Sequence, residues 1–301
     1  MESARIDETS GMPHDDAIVS TVPVRDLEFT VVSRTARSGS GDVAVLLHGF
    51  PETSASWSAV AALLADAGIS SVAPDQRGYS PGARPGSISD YRLPELVADV
   101  VGLCDALDLP KVHLVGHDWG AIVAWAVAAA HPERLHSLTA VSVPHPAAFA
   151  WARENDPDQR ERSGYMTYFA TPAEPEKAFL ADNALALRLG FGDAVPPEAV
   201  EQHLDVLSAP GALTAALNWY RAMPLDTHDI ADVAVPTTFI WSTDDIAITG
   251  AGPARCAQHV SGPYRYIEVA DGTHWIPEEF PQVVADAIIE QVGAASSGIS
   301  S

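Results

Sequence analysis

A chain of 301 residues, 47% hydrophobic and 19% charged, has room for one large globular domain with a sizeable insertion. Its 17 basic and 40 acidic residues leave a net charge of −23, a surface that repels phosphate backbones and anionic membranes and excludes nucleic acid as a partner. The only cysteines, Cys104 and Cys256, are too few for a disulfide framework and stand in no metal-ligand spacing, so a reducing, cytoplasmic location without a metal is expected.

The N-terminus is acidic and polar through Asp16, with no basic start and no apolar core, unlike a signal peptide. No apolar run is long enough to span a membrane. Residues 1–24 and the tail 294–301 are expected to be flexible, since neither carries large apolar residues at regular spacing.

Leu27 to Thr35 alternates and is β-rich, as in an edge strand or hairpin arm. Val43 to Leu47 is a continuous apolar run, the mark of a strand buried on both faces, and it ends in His48-Gly49-Phe50-Pro51-Glu52. Ser56 to Ala67 predicts a helix, with Trp57, Val60, Leu63 and Leu64 at helical spacing. Ser70 to Pro74 is a short strand ending at Asp75-Gln76-Arg77-Gly78-Tyr79, and Pro94 to Leu107 is a helix with proline at its start. Val112 to Val115 is a β-branched, apolar strand and Ala121 to Ala130 a helix. Leu138 to Val143 is the next strand. Strands alternating with helices predict an α/β fold with a mostly parallel sheet covered on both faces.

The alternation then stops. From about Ala147 to Asp232 the pattern is helical with proline breaks, as in an inserted cap. Strands resume at Pro236 to Trp241 and Tyr264 to Val269, followed by a helix from about Pro281 to Val292. The core is therefore expected over 25–146 and 233–293, with the cap at 147–232.

Between the Val112 strand and the following helix lies Gly116-His117-Asp118-Trp119-Gly120. Glycines two residues either side of a central residue, between strand and helix, are the layout of a nucleophile elbow. The arms of such a turn pass close together, so side chains at Gly116 or Gly120 would clash. The central residue is Asp118, and a carboxylate is a workable nucleophile at an sp³ carbon, where it forms an alkyl-enzyme ester. Asp244 and Asp245 follow one later strand, and His274 follows the last. Each lies where ligands bind in open α/β sheets, in the order nucleophile, acid, histidine.

On these motifs the chain resembles the α/β-hydrolase fold family, and within it the soluble epoxide hydrolases, over roughly residues 25 to 293. The resemblance rests on His48-Gly49-Phe50-Pro51, Asp75-Gln76-Arg77-Gly78-Tyr79, the Asp118 elbow, His274, and the cap segments Tyr168-Phe169 and Asn218-Trp219-Tyr220-Arg221. It implies a mostly parallel central sheet flanked by helices, with the cap inserted after the sixth strand. It implies that Asp118 attacks an epoxide carbon while Tyr168 and Tyr220 hydrogen-bond the ring oxygen. His274, oriented by Asp245, then activates water, and the backbone N–H groups of Phe50 and Trp119 hold the oxyanion. The bond before Pro51 is expected to be cis. His48, His117 and Trp219 are expected to line the substrate pocket.

Several alternatives stay open on the sequence. Asp244 adjoins Asp245, and Tyr165 lies one helical turn before Tyr168. A haloalkane or haloacid dehalogenase would use the same acid, base and nucleophile, and a low-turnover binding protein could share the scaffold. The expected partners are a small epoxide and water, with no cofactor and no membrane. Whether the chain forms a homodimer is left open.

Overall fold

The computed structural model describes residues 17–36, 39, 41–223 and 230–297. Eight strands form one sheet: β1 (Ala17–Val24), β2 (Leu27–Arg34), β3 (Val43–Leu47), β4 (Ser70–Pro74), β5 (Val112–His117), β6 (Leu135–Val141), β7 (Thr237–Ser242) and β8 (Tyr264–Val269). Their order is β1-β2-β4-β3-β5-β6-β7-β8. β1 and β2 form an antiparallel hairpin, β2 runs antiparallel to β4, and every other pairing is parallel.

The apolar run of β3 works as its composition predicts. Val45 and Leu47 enter the core on one face of the sheet, and Ala44 and Leu46 enter the core on the other. In β5, Leu114 and Val115 divide in the same way. Helices Leu93–Ala106 and Trp119–Ala130 contribute to the first of these cores, and Ser58–Asp66 and Pro281–Ser297 to the second. Truncating a fully buried leucine such as Leu46 or Leu114 to alanine costs about 2–5 kcal/mol.

Between β6 and β7 the chain leaves the sheet for six helices: Pro146–Asn155, Pro157–Arg162, Tyr165–Phe169, Glu174–Phe191, Pro197–Leu207 and Ala212–Ala222. Four of the prolines in this region are helix starts. Pro146, Pro157, Pro175 and Pro197 each occupy a first-turn position, where a missing N–H loses no helical bond. The fourth cap helix is broken in its middle, where Asp182, Asn183 and Ala184 are left-handed.

Two expectations at the ends of the chain need correction. Residues 17–24, expected to be flexible, form β1. Its Ile18 and Val19 are exposed, and the strand is held by an eight-residue ladder to β2, so burial periodicity gave no signal. The last helix runs through residues 294–297 of the expected tail. Residues 1–16 and 298–301 lie outside the described residues. Among the described residues no helix is long and apolar enough to cross a membrane.

Candidate active site

β5 delivers Asp118 at its carboxyl end, ahead of the helix Trp119–Ala130. The residue is held at φ 51°, ψ −119°, a conformation a non-glycine residue adopts only when its surroundings enforce it. The enforcement is visible in the glycines. A Cβ on Gly116 would collide with the backbone of Gly120, and one on Gly120 with the carbonyl of Leu47. A Cβ on Gly49 would run into the Asp118 side chain itself, so the loop after β3 is shaped around the carboxylate.

That loop supplies the first donor. The Phe50 N–H donates to Asp118 Oδ1 at 2.8 Å, and the Phe50–Pro51 bond is cis. Trp119 is the first residue of its helix, so its N–H has no intrahelical acceptor.

His274 follows β8. Its Nε2 lies 3.5 Å from Asp118 Oδ2, and its Nδ1 donates to Asp245 Oδ2 at 2.8 Å. The other oxygen of Asp245 accepts from the N–H groups of Ala247 and Ile248, which fixes the carboxylate. Asp245 is fully buried, whereas Asp244 is exposed. The structure therefore brings Asp118, His274 and Asp245 together and leaves Asp244 outside. Burial alone would lower the His274 pKa; Asp245 and Asp118 outweigh it and hold the ring well above its ordinary value.

Asp118 and His274 open on a cavity of about 180 Å³. Its walls include Phe50, Phe169, Phe179 and Trp275, and two cap tyrosines, Tyr165 and Tyr220. Burial, with the Asp118 charge nearby, raises both phenol pKa values above the ordinary value, so each keeps its proton at neutral pH. The Tyr220 ring meets the Trp119 indole edge-to-face, with ring centroids 5.2 Å apart.

Tyr168 is a correction. Its ring is 43% exposed, its hydroxyl faces the Glu174 carbonyl, and it does not line the cavity. Tyr165, one turn earlier on the same short helix, points inward and packs against Phe169 and Tyr220. Three more expectations change. His48, His117 and Trp219 are buried behind the walls and do not line the cavity. His48 accepts the Gln76 N–H at Nε2 and bonds the Gly49 carbonyl through Nδ1, bracing the loop that carries Phe50. Trp219 donates to the Arg77 carbonyl, tying the cap to the core. His117 donates from Nε2 to the His274 carbonyl and pairs through Nδ1 with Glu52 at 2.7 Å.

Glu52 opens a buried network to which sequence reasoning assigned no role. Burial opposes its charge, but His117 lowers its pKa well below the ordinary carboxyl value. Glu278 shows the opposite shift: burial, then the Glu52 charge, raise it well above the ordinary value. Glu52 Oε1 and Glu278 Oε2 have no hydrogen-bond partner among the described residues, and a proton held on Glu278, in line with its raised pKa, would let the two carboxyl groups pair. Glu278 Oε1 meets His203 Nε2 of the cap at 3.0 Å, and His203 Nδ1 accepts from the Thr53 N–H. Burial pushes the His203 pKa down to about 4, so the ring is neutral. The cap also grips the acid: Gln159 donates to the Ala247 carbonyl, and Arg162 to that of Asp245. The available signal was Glu52, adjacent to Pro51; the partners His203, Gln159 and Arg162 lie far away in sequence.

Residues 43–281 match the alpha/beta hydrolase fold family. The chain belongs to the α/β-hydrolase fold family. It is 35% identical over 259 residues to the AB hydrolase superfamily protein YfhM of Bacillus subtilis, covering 83% of this chain and 90% of that protein. It is 33% identical over 292 residues to Epoxide hydrolase A of Mycobacterium tuberculosis, covering 82% and 89%. The crystal structure of Epoxide Hydrolase A from Mycobacterium thermoresistibile superposes with a TM-score of 0.80 at 27% identity, covering 92% of this chain and 98% of that one. The α/β hydrolase described here thus closely resembles epoxide hydrolases in sequence and fold. Among its described residues, no group of three or more His, Cys, Asp or Glu side chains is arranged to hold a metal ion.

Proposed function

We propose that this chain is an epoxide hydrolase that opens a small organic epoxide to a vicinal diol through an ester on Asp118. The observation that carries the reading is the placement of two protonated phenols, Tyr165 and Tyr220, on the same cavity as the Asp118 carboxylate. Asp118 attacks one ring carbon, the C–O bond breaks, and a phenol gives its proton to the departing alkoxide. The phenolate left behind is a strong base, and through water it draws the proton of His274. Esterification has by then removed the Asp118 charge, one of the two anions that held that proton.

Neutral His274, oriented by Asp245, takes a proton from water as the water adds to the ester carbonyl carbon. The Phe50 and Trp119 N–H groups receive the oxyanion; losing one such donor typically costs about 10²–10³ in rate. Collapse releases the diol, whose alkoxide takes the proton of the new carboxyl group. Asp118 returns as a carboxylate and His274 as an imidazolium, so the cycle closes.

A dehalogenase would need indole or amide donors aimed at a halide. The indole N–H groups of Trp219 and Trp275 are engaged by the Arg77 and Gly190 carbonyls. The same reading places the chain in the cytoplasm, supported by two unpaired, buried cysteines, and cell fractionation tests it.

The test is His274→Gln incubated with epoxides, haloalkanes and haloacids, followed by intact mass and adduct mapping. The expected result is a gain of one whole epoxide on Asp118 with stalled hydrolysis. A gain of substrate less hydrogen halide makes the chain a dehalogenase. An adduct on another residue sinks the Asp118 assignment.

A further inference from the structure

A second, much smaller cavity of about 10 Å³ shares Asp118, Tyr165, Tyr220 and Ala247 with the large one. Beyond those four it is closed by Trp119, Ile122, Val143, Phe149, Met166 and Ile248. A volume of that size holds about one water-sized atom. The large cavity behaves differently. It runs past Leu187 and Gly190, and beside Ile246, which is 63% exposed. Leu185 and Leu189, on the same helix as Leu187, stand exposed at 48% and 72%. The reacting groups therefore sit where a closed apolar pocket and a wide apolar channel meet.

An epoxide whose oxygen lies at the phenols and whose carbon lies at Asp118 must send its substituents into these two spaces. We propose that the enzyme is selective for terminal and 2,3-epoxides, with a neutral apolar substituent lying in the wide channel and no more than hydrogen or methyl facing the closed pocket. Among the described residues, the channel's only ionisable wall groups besides the two tyrosines are Asp118 and His274, and these offer a carboxylate-bearing substituent no cation beyond the one already paired with Asp118 and Asp245. The inference rests on the epoxide hydrolase reading and adds to it the substitution pattern of the substrate.

The experiment compares four isomers of one mass with the wild-type protein: 1,2-epoxyoctane and the cis-2,3-, trans-2,3- and trans-4,5-epoxyoctanes. Each methylene that a rigid apolar pocket cannot admit typically changes kcat/KM about 10–200-fold. The expected order is the 1,2-isomer first, the 2,3-isomers within reach of it, and the 4,5-isomer lower than the 1,2-isomer by 10-fold or more. Met166→Ala and, separately, Ile122→Ala enlarge the closed pocket and should raise the 4,5- to 1,2-isomer ratio 10-fold or more. Measuring a ratio within each variant removes any loss of folded protein. Equal kcat/KM for the 1,2- and 4,5-isomers overturns the inference and leaves the epoxide hydrolase reading standing. No turnover of any isomer, with no Asp118 adduct in His274→Gln, overturns both.

Discussion

His117 Nε2 donates to the main-chain carbonyl of His274 at 2.8 Å, so the residue before the nucleophile fixes the loop that carries the base. Ser142 Oγ donates to the same carbonyl at 3.0 Å. The His274 ring is thus positioned from behind by β5 and from in front by Asp245. His117 is in turn held by Glu52, and Glu52→Ala strands a buried imidazole against an empty site. Leaving a buried polar group without its hydrogen-bond partner costs about 1–3 kcal/mol. Urea unfolding of Glu52→Ala should show that loss, and an unchanged midpoint would remove the pair from the scaffold.

Glu278 gives a prediction of opposite sign. Its folded pKa is raised, so its contribution to stability is present below the unfolded value, near 4.5, and is lost as pH rises towards the folded value. Glu278→Gln keeps an acceptor for His203 and a donor for Glu52 but has no proton to lose. It should match the parent at pH 4 and melt higher than the parent at pH 8. A lower melting temperature at both pH values would mean that Glu278 is not held protonated.

The two cap tyrosines should behave unlike their neighbour. Tyr165→Phe and Tyr220→Phe should each lower kcat/KM for an epoxide by at least about 10-fold, and the double variant by about 10²–10⁴. Tyr168→Phe should stay within about twofold, since its ring faces solvent. If Tyr168→Phe were the damaging change, the cap helix would have to be rotated from its position here.

Oxygen isotopes follow the ester directly. In a single turnover with enzyme in excess in ¹⁸O-water, the diol should be unlabelled and Asp118 should gain one ¹⁸O. The transferred oxygen comes from the carboxylate, and the water's oxygen replaces it. Label in the first diol would mean direct attack by water.

The base should also leave a trace in pH. Asp118 attacks as an anion, and the ester is hydrolysed only by neutral His274. Asp245 remains to favour the protonated ring against the burial that opposes it. Lower pH should therefore raise the fraction of alkyl-enzyme at steady state, read by acid quench and intact mass. A fraction that falls with pH would assign the base to another group.

Much of this was legible in the sequence because local rules and global fold agree there. The apolar runs of β3 and β5, the Gly116 and Gly120 spacing, and Asp245 and His274 after their strands each follow from a backbone requirement that leaves a residue signature. Tyr168 and Tyr165 are one turn apart, and the sequence does not fix how a five-residue helix is rotated, so it does not separate them. His48, His117 and Trp219 belong to the motifs that carry the resemblance, yet none of them lines the cavity. Their side chains turn away to satisfy backbone groups under the walls, a demand that appears only once the loops are stacked. β1 escaped because a ladder holds it, and ladders have no composition of their own.

The cap's grip on the acid loop has a kinetic meaning. Gln159 and Arg162 are bonded to the segment that carries Asp245. A cap that swung open would pull that carboxylate from His274, so traffic has to pass through the standing doorway beside Ile246. Residence time in such a passage depends on the length of the cargo. For long-chain diols, departure should become the slow step, and kcat should fall with chain length while the rate of ester formation does not.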